Sequence, residues 1–191
     1  MTAPAWIEIR QAVIGALRLA RGDRGGLALF DTSIDGFWHS FRAAGLCYPL
    51  YLLMLGFRVA APDWTQSGVA TVVLVETIAY VVSWVAFPLL ILPLTRWLNR
   101  EERFLPFMVA YNWSQVPQTA LFMLVGLDRA AGLLPAGPAR FAEVAATAAV
   151  LVYEWYIARV ALAVTRTQAT LVVLVDLVLG VVLSRVAEGL Y

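Results

Sequence analysis

Glu76, Asn112, Gln115, Gln118, Glu154 and Asp176 are acids and amides set near the middle of long apolar stretches. Carboxylates in such surroundings cost a few kcal/mol each, so they are expected to turn inward and find partners. Two kinds of chemistry fit these residue types. In an ion, proton or small-solute path, Glu154 and Asp176 would titrate while Asn112, Gln115 and Gln118 coordinate. In interhelical glue, the same side chains hydrogen-bond between helices and fix the register of a small bundle. Arg159 is the cation nearest the group, and its i to i+5 spacing from Glu154 puts the two on different faces of one helix. One arginine does not neutralise three acids. Neutral acid and amide hydrogen bonds are therefore expected in preference to a charged relay.

Spacing adds detail. Asn112, Gln115 and Gln118 stand at i, i+3 and i+6, a slanted ridge on one helix, and Pro117 frees the carbonyl of Trp113 beside it. Glu76, Tyr80 and Ser83 form a second polar stripe. Ala145 with Ala149, and Gly180 with Ser184, follow the small-x-x-x-small spacing of helix contacts, and Asp176 lies one turn from Gly180.

Enzyme signatures are missing from the sequence. His39 has no second His or Cys at metal-ligand spacing, and there is no phosphate loop, dinucleotide fingerprint or nucleophile elbow. Asp176 is the only Asp within an apolar run, which argues against an aspartate pair for intramembrane proteolysis. The expectation is a protein that is not an enzyme, with no catalytic, cofactor-binding or metal-ligating residue. Cys47 stands alone, so an internal disulfide is excluded.

The elements that must hold these side chains follow from composition. The chain has 191 residues, 61% hydrophobic and 14% charged, more apolar surface than one soluble core of this size hides. Its mean hydropathy of +0.77 points to lipid as the remaining solvent. A formal charge of +1 gives no argument for a nucleic-acid partner. All the basic residues are arginine.

A spanning helix needs about 20 mainly apolar residues. Five stretches qualify: Ala43–Ala60, Gly68–Leu94, Phe104–Leu127, Phe141–Val164 and Gln168–Ala187. The sequence thus predicts an all-α polytopic bundle over residues 37–191, since only helices satisfy their backbone within lipid and no strand alternation appears. Pro88 is expected to kink or end the second run, and the third, polar from Tyr111 to Thr119 and carrying Pro117, is expected either to span fully or to be re-entrant, in which case everything after it changes sides. At the usual helical rise, Asn112, Glu154 and Asp176 fall roughly 12 to 18 Å from one membrane edge, with Glu76 and Gln118 somewhat further.

Arginine placement gives the orientation. With the N-terminus inside, Arg10, Arg18, Arg21, Arg24, Arg42, Arg96, Arg100, Arg103 and Arg166 are cytoplasmic, and Arg58, Arg129, Arg140 and Arg185 are external. The N-terminus is expected to be cytoplasmic and uncleaved, because Glu8, Arg10 and Gln11 interrupt any signal-peptide pattern, and the C-terminus external. Length and arginine bias suggest a bacterial inner membrane.

Residues 1–36 read as a separate leader. Trp6, Ile9, Val13, Leu17 and Ala20 repeat at helical spacing, so Arg10, Arg18, Arg21 and Arg24 are candidates to meet anionic headgroups from an interfacial amphipathic helix. Packing of that helix on the bundle or on a partner subunit is the alternative. Thr32 and Asp35 stand in capping-box spacing before a short helix that enters the first span.

The order of elements resembles the Yip-domain family of small five-span membrane proteins. The likeness rests on RWLNREERFLPFMVAYNWSQVPQTALFML, similar to that family's loop and small-Tyr-x-x-x-x-Pro helix, and on LVYEWYIARVALAVTRTQATLVVLVDLVLG. The glycine pair that often precedes the third span in that family is absent here. Eukaryotic members are linked to vesicle traffic and Rab proteins. The resemblance implies a membrane-organising or adaptor role, oligomerisation and no catalysis. The leading expectation is accordingly a non-catalytic scaffold or accessory subunit, with a homo-oligomer or a membrane protein as partner and no cofactor. The alternative is a proton- or ion-coupled small-solute transporter using the acids and amides.

Overall fold

The structure, a computed structural model, describes residues 5–59 and 61–191. It is all-α, with no strand among the described residues. The helices are α1 (Ala5–Ala20), α2 (Ile34–Ser40), α3 (Arg42–Arg58), α4 (Ala61–Gln66), α5 (Val69–Trp97), α6 (Phe104–Ala131), α7 (Ala136–Ala161) and α8 (Arg166–Glu188). Short 3-10 turns at Arg24–Leu29 and Glu101–Arg103 join some of them.

Three helices, α5, α7 and α8, are long and apolar enough to cross a membrane. Their apolar surface faces outward: only 11% of the most apolar stretch of α8 and 17% of that of α5 is buried in the bundle. Leu74, Ile78, Val81 and Leu89 of α5, and Leu174, Val178 and Val182 of α8, project away from the core.

The other two expected spans differ for separate reasons. α3 has 17 residues, fewer than the roughly 20 of a typical crossing. α6 has 28, about 42 Å by the usual helical rise, but no stretch of it is apolar enough to join the other three as a crossing helix. It runs through the centre of the fold, burying Phe107, Met108, Ala110, Asn112, Trp113, Ser114 and Gln118 against α1, α2, α3 and α7. A helix enclosed by protein has no need of an apolar exterior, so its polar residues lower hydropathy without a solvation penalty.

Proline does not end either long helix. α5 continues through Pro88 and Pro93 to Trp97, and α6 continues through Pro117. Packing overrides the lost backbone bond. Pro88 is itself buried among neighbours in the core.

The leader is built onto the bundle. α1 buries Ala12, Gly15, Ala16 and Leu19 against α6 and α7. The Tyr153 hydroxyl of α7 donates to the Ala16 carbonyl at 2.7 Å, and Tyr156 donates to the Gly22 carbonyl at 2.6 Å. Gly15 and Gly26 allow the return of the chain: a Cβ on Gly26 would strike the Gly15 carbonyl. Asp23 caps the turn that follows, accepting from Arg18 at 2.6 Å and from the Gly25 amide at 2.8 Å. The Arg18 bond, helped by that amide, holds the Asp23 carboxyl below its ordinary range.

The cap of α2 is Ser33, not Thr32. Its hydroxyl accepts from the Gly36 amide at 3.0 Å, while Asp31 accepts from the Ser33 amide at 3.0 Å. The Thr32–Asp35 spacing fits the same motif in sequence, but the Asx bond from Asp31 sets the helix start one residue later.

Candidate functional site

The six mid-helix acids and amides do not form one band. They divide into three groups, each set by a different combination of helices.

The first group is at the meeting of α6, α7 and α8. Glu154 of α7 is buried, and it lines the same cleft as Asp176 on α8. Tyr111 of α6 donates its hydroxyl to Asp176 Oδ1 at 2.7 Å. The Tyr111 ring stacks on Phe87 of α5, centroids 4.1 Å apart, which orients the hydroxyl. Two carboxyls lining one cleft, with no cation paired to either among the described residues, repel one another when both are ionised, so a single charge with one proton is the less costly state. Among the described residues no arginine pairs with either acid.

This group lines a cleft of about 770 Å³. The lining runs from Tyr111, Gln115, Glu154 and Asp176 at mid-helix, past Phe122, Val150, Leu151, Leu177 and Val181, to Arg58, Arg185 and Glu188 at helix ends. A smaller cavity of about 80 Å³ lies on the α5 side, bounded by Ser83, Trp84, Phe87 and Asn112. Tyr111, Gln115, Asp176 and Gly180 border both spaces.

The second group centres on Glu76. It is 2% exposed and sits about two turns into α5, not at mid-depth. Arg58 meets it at 2.6 Å, and the hydroxyls of Tyr51 and Tyr191 donate to it at 2.5 and 2.7 Å. Burial, with the bond to Glu76, pushes the Tyr191 phenol up to about 12, so it remains a donor at neutral pH. The expectation that Arg159 is the cation nearest the acids is thus corrected for Glu76, which Arg58 reaches. α3 is short and ends beside α5, so a long side chain from its last residue reaches the carboxylate. The signal was available: Tyr48 and Tyr51 on one helix face Thr77 and Tyr80 on the next, and Tyr48 meets Thr77 at 2.8 Å.

The third group is packing. Asn112 Nδ2 donates to Ser40 Oγ at 2.8 Å, tying α6 to the end of α2, and Gln118 donates to Ser114 Oγ at 3.1 Å within α6. Gln115 alone of the amide ridge reaches the cleft. Each i+3 step turns the side chain by about 60°, so the ends of the ridge lie on different faces.

Arg159 takes no part in these groups. It donates to the Val164 carbonyl at 2.8 Å in the α7–α8 turn, and its guanidinium lies 5.7 Å from the centre of the Trp155 ring. His39 meets Glu8 of α1 at 3.0 Å, and Arg42 meets the same carboxylate at 2.8 Å. Of the leader arginines, Arg18 pairs with Asp23, while Arg10, Arg21 and Arg24 are exposed. Among the described residues no group of three or more His, Cys, Asp or Glu could hold a metal ion.

Fold and site define an all-α protein with three helices of membrane-crossing length and apolarity, packed about a central polar helix and a carboxyl-floored cleft. Comparison with protein-family models, curated proteins and solved structures finds no match.

Proposed function

We propose that this chain is a non-catalytic bacterial inner-membrane protein with five membrane-embedded helices, α3 and α5 to α8. It holds a small solute in the Glu154–Asp176 cleft and exchanges it with protons. The observation that carries this reading is the carboxyl pair on the lining of a cleft of about 770 Å³, a volume typical of small-molecule sites. Acids inside a membrane bundle that reach a cavity mark solute or proton paths. The arginine distribution supports a cytoplasmic N-terminus and an external C-terminus, with the mouth of the cleft external.

Proteoliposomes holding a pH-sensitive dye test the reading. Candidate solutes added outside should move protons in wild type, and Glu154→Gln and Asp176→Asn should abolish that movement while the protein keeps its helix content and elution volume. Proton movement identical in all three proteins would overturn it. A reporter fused to the C-terminus checks orientation.

A scaffold or adaptor role, with the Yip-like element order, is the second reading. What favours it is the outer face of α1 and α2, where Trp6, Ile14, Leu17, Ile34 and Trp38 are exposed beside Arg10, Arg21 and Arg24. Such a face suits anionic headgroups or a neighbouring membrane protein. Neutralising those arginines should then release a partner or lower affinity for anionic vesicles, with proton movement unaffected.

A further inference from the structure

We infer that the cleft takes a monovalent organic cation with an apolar body, bound at the Glu154–Asp176 pair in competition with a single proton. This rests on the reading of the cleft as a solute site.

Charge balance around the cleft selects the sign. Arg58 is matched by Glu76 at 2.6 Å, and Arg185 by Glu188 at 3.5 Å, so each cation at the mouth has its own carboxylate. Glu154 and Asp176 have none among the described residues. With one proton held between them, the pair keeps one negative charge. Tyr111 stabilises that charge by donating to Asp176 at 2.7 Å, but a neutral hydroxyl does not cancel it.

Burying an unmatched charge is costly unless a counter-ion arrives. An anion would add to it, and a neutral solute would leave it standing. A divalent metal would need further ligands, and these acids belong to no metal-binding group. A monovalent cation cancels it.

Size and walls select the rest. A cleft of about 770 Å³ far exceeds an inorganic ion, and Phe122, Val150, Leu151, Leu177 and Val181 offer it only apolar contact. An organic body in that space removes apolar surface from water while its charged centre faces the acids. A second proton on the pair cancels the same charge, so cation and proton exclude one another. That exclusion is the coupling an exchanger needs.

Equilibrium dialysis of the full chain in lipid nanodiscs tests the inference, with tetraphenylphosphonium and tetraphenylborate as probes of matched shape and opposite sign. The phosphonium should bind at one saturable site per chain, and the borate at least about tenfold more weakly, a difference set by charge alone. Acidification should weaken phosphonium binding by up to tenfold per pH unit, the slope of a one-proton competition. The double change Glu154→Gln with Asp176→Asn should remove the binding, whereas either change alone leaves one carboxylate and flattens the pH dependence. Glu101→Gln, a change at an exposed pair with Arg96, should leave it unchanged.

Equal uptake of both probes, or phosphonium binding insensitive to pH and to both substitutions, overturns the cation assignment. Labelling separates this failure from that of the parent reading. A Ser184→Cys variant lacking Cys47 should react with a water-soluble maleimide through the cleft. Reaction without phosphonium binding rejects the cation alone, whereas a thiol sealed from the reagent rejects the solute cleft as well.

Discussion

Arg58 and Glu76 meet at 2.6 Å where α3 ends beside α5, and the carboxylate is buried while the guanidinium is about four-tenths exposed. The pair is asymmetric. Losing the arginine leaves a buried carboxylate without its counter-ion, whereas losing the charge of the acid leaves an amide whose oxygen accepts from one of Tyr51 and Tyr191 and whose NH2 can donate to the other hydroxyl. Arg58→Ala should therefore destabilise the protein by about 2–4 kcal/mol, and Glu76→Gln by less. Thermal unfolding in detergent, followed by tryptophan fluorescence, reads the difference, and a larger loss for Glu76→Gln contradicts it.

Tyr111→Phe keeps the ring stacked on Phe87 and removes only the hydroxyl that bonds Asp176. A loss of about 1–3 kcal/mol is expected, the cost of leaving an acceptor unpaired in the bundle. In proteoliposomes the pH at which proton movement is half-maximal should shift as well. An unchanged profile means that the hydroxyl does not act on the pair.

Ser40 and Asn112 are both buried, and each is the other's partner across α2 and α6. Ser40→Ala should cost about 1–3 kcal/mol by stranding the amide. The double change with Asn112→Ala should cost less than the sum of the single changes. Strict additivity in that cycle would mean that the bond contributes nothing.

Asp23 carries the acid sensitivity of the leader. Its carboxyl is held below the ordinary range by Arg18 and then by the Gly25 amide. The folded state thus binds fewer protons than the unfolded state in the acid window. The stabilisation is present above the unfolded value of about 4 and is lost as pH falls through the lower folded value. Protection from hydrogen exchange over residues 24–29, taken relative to the intrinsic rate at each pH, should fall on acidification in wild type, and Asp23→Asn should flatten that fall.

Gly26→Ala places a methyl against the Gly15 carbonyl. α1 should lift from α6 and α7, and limited proteolysis should then cut within residues 20–30. Resistance equal to wild type would mean that the loop shifts to accept the methyl.

Helical class and apolar surfaces were legible because periodicity and hydropathy report local solvent. The pairing of Glu154 with Asp176 was half legible, since the small-residue spacing at Gly180 turned that face inward. The central position of α6 was not legible, because the stretch from Phe107 to Gln118 packs against protein and so lacks the hydropathy signature that marks a span. Of the two outcomes open at Pro88, an ended or a continuing helix, the chain takes the second, and the helix bearing Pro117 continues as well. The Arg58–Glu76 contact depended on the reach of one long side chain from a short helix, which residue counting along a single helix does not detect.

Tyr153 and Tyr156 hold the leader by its backbone carbonyls, not by its side chains. The seat of α1 is thus partly written in α7. Outward positions such as Trp6, Ile14 and Leu17 are free to change chemically, and the surface they form can be retuned to a new lipid or neighbour while these two tyrosine hydroxyl bonds stay in place.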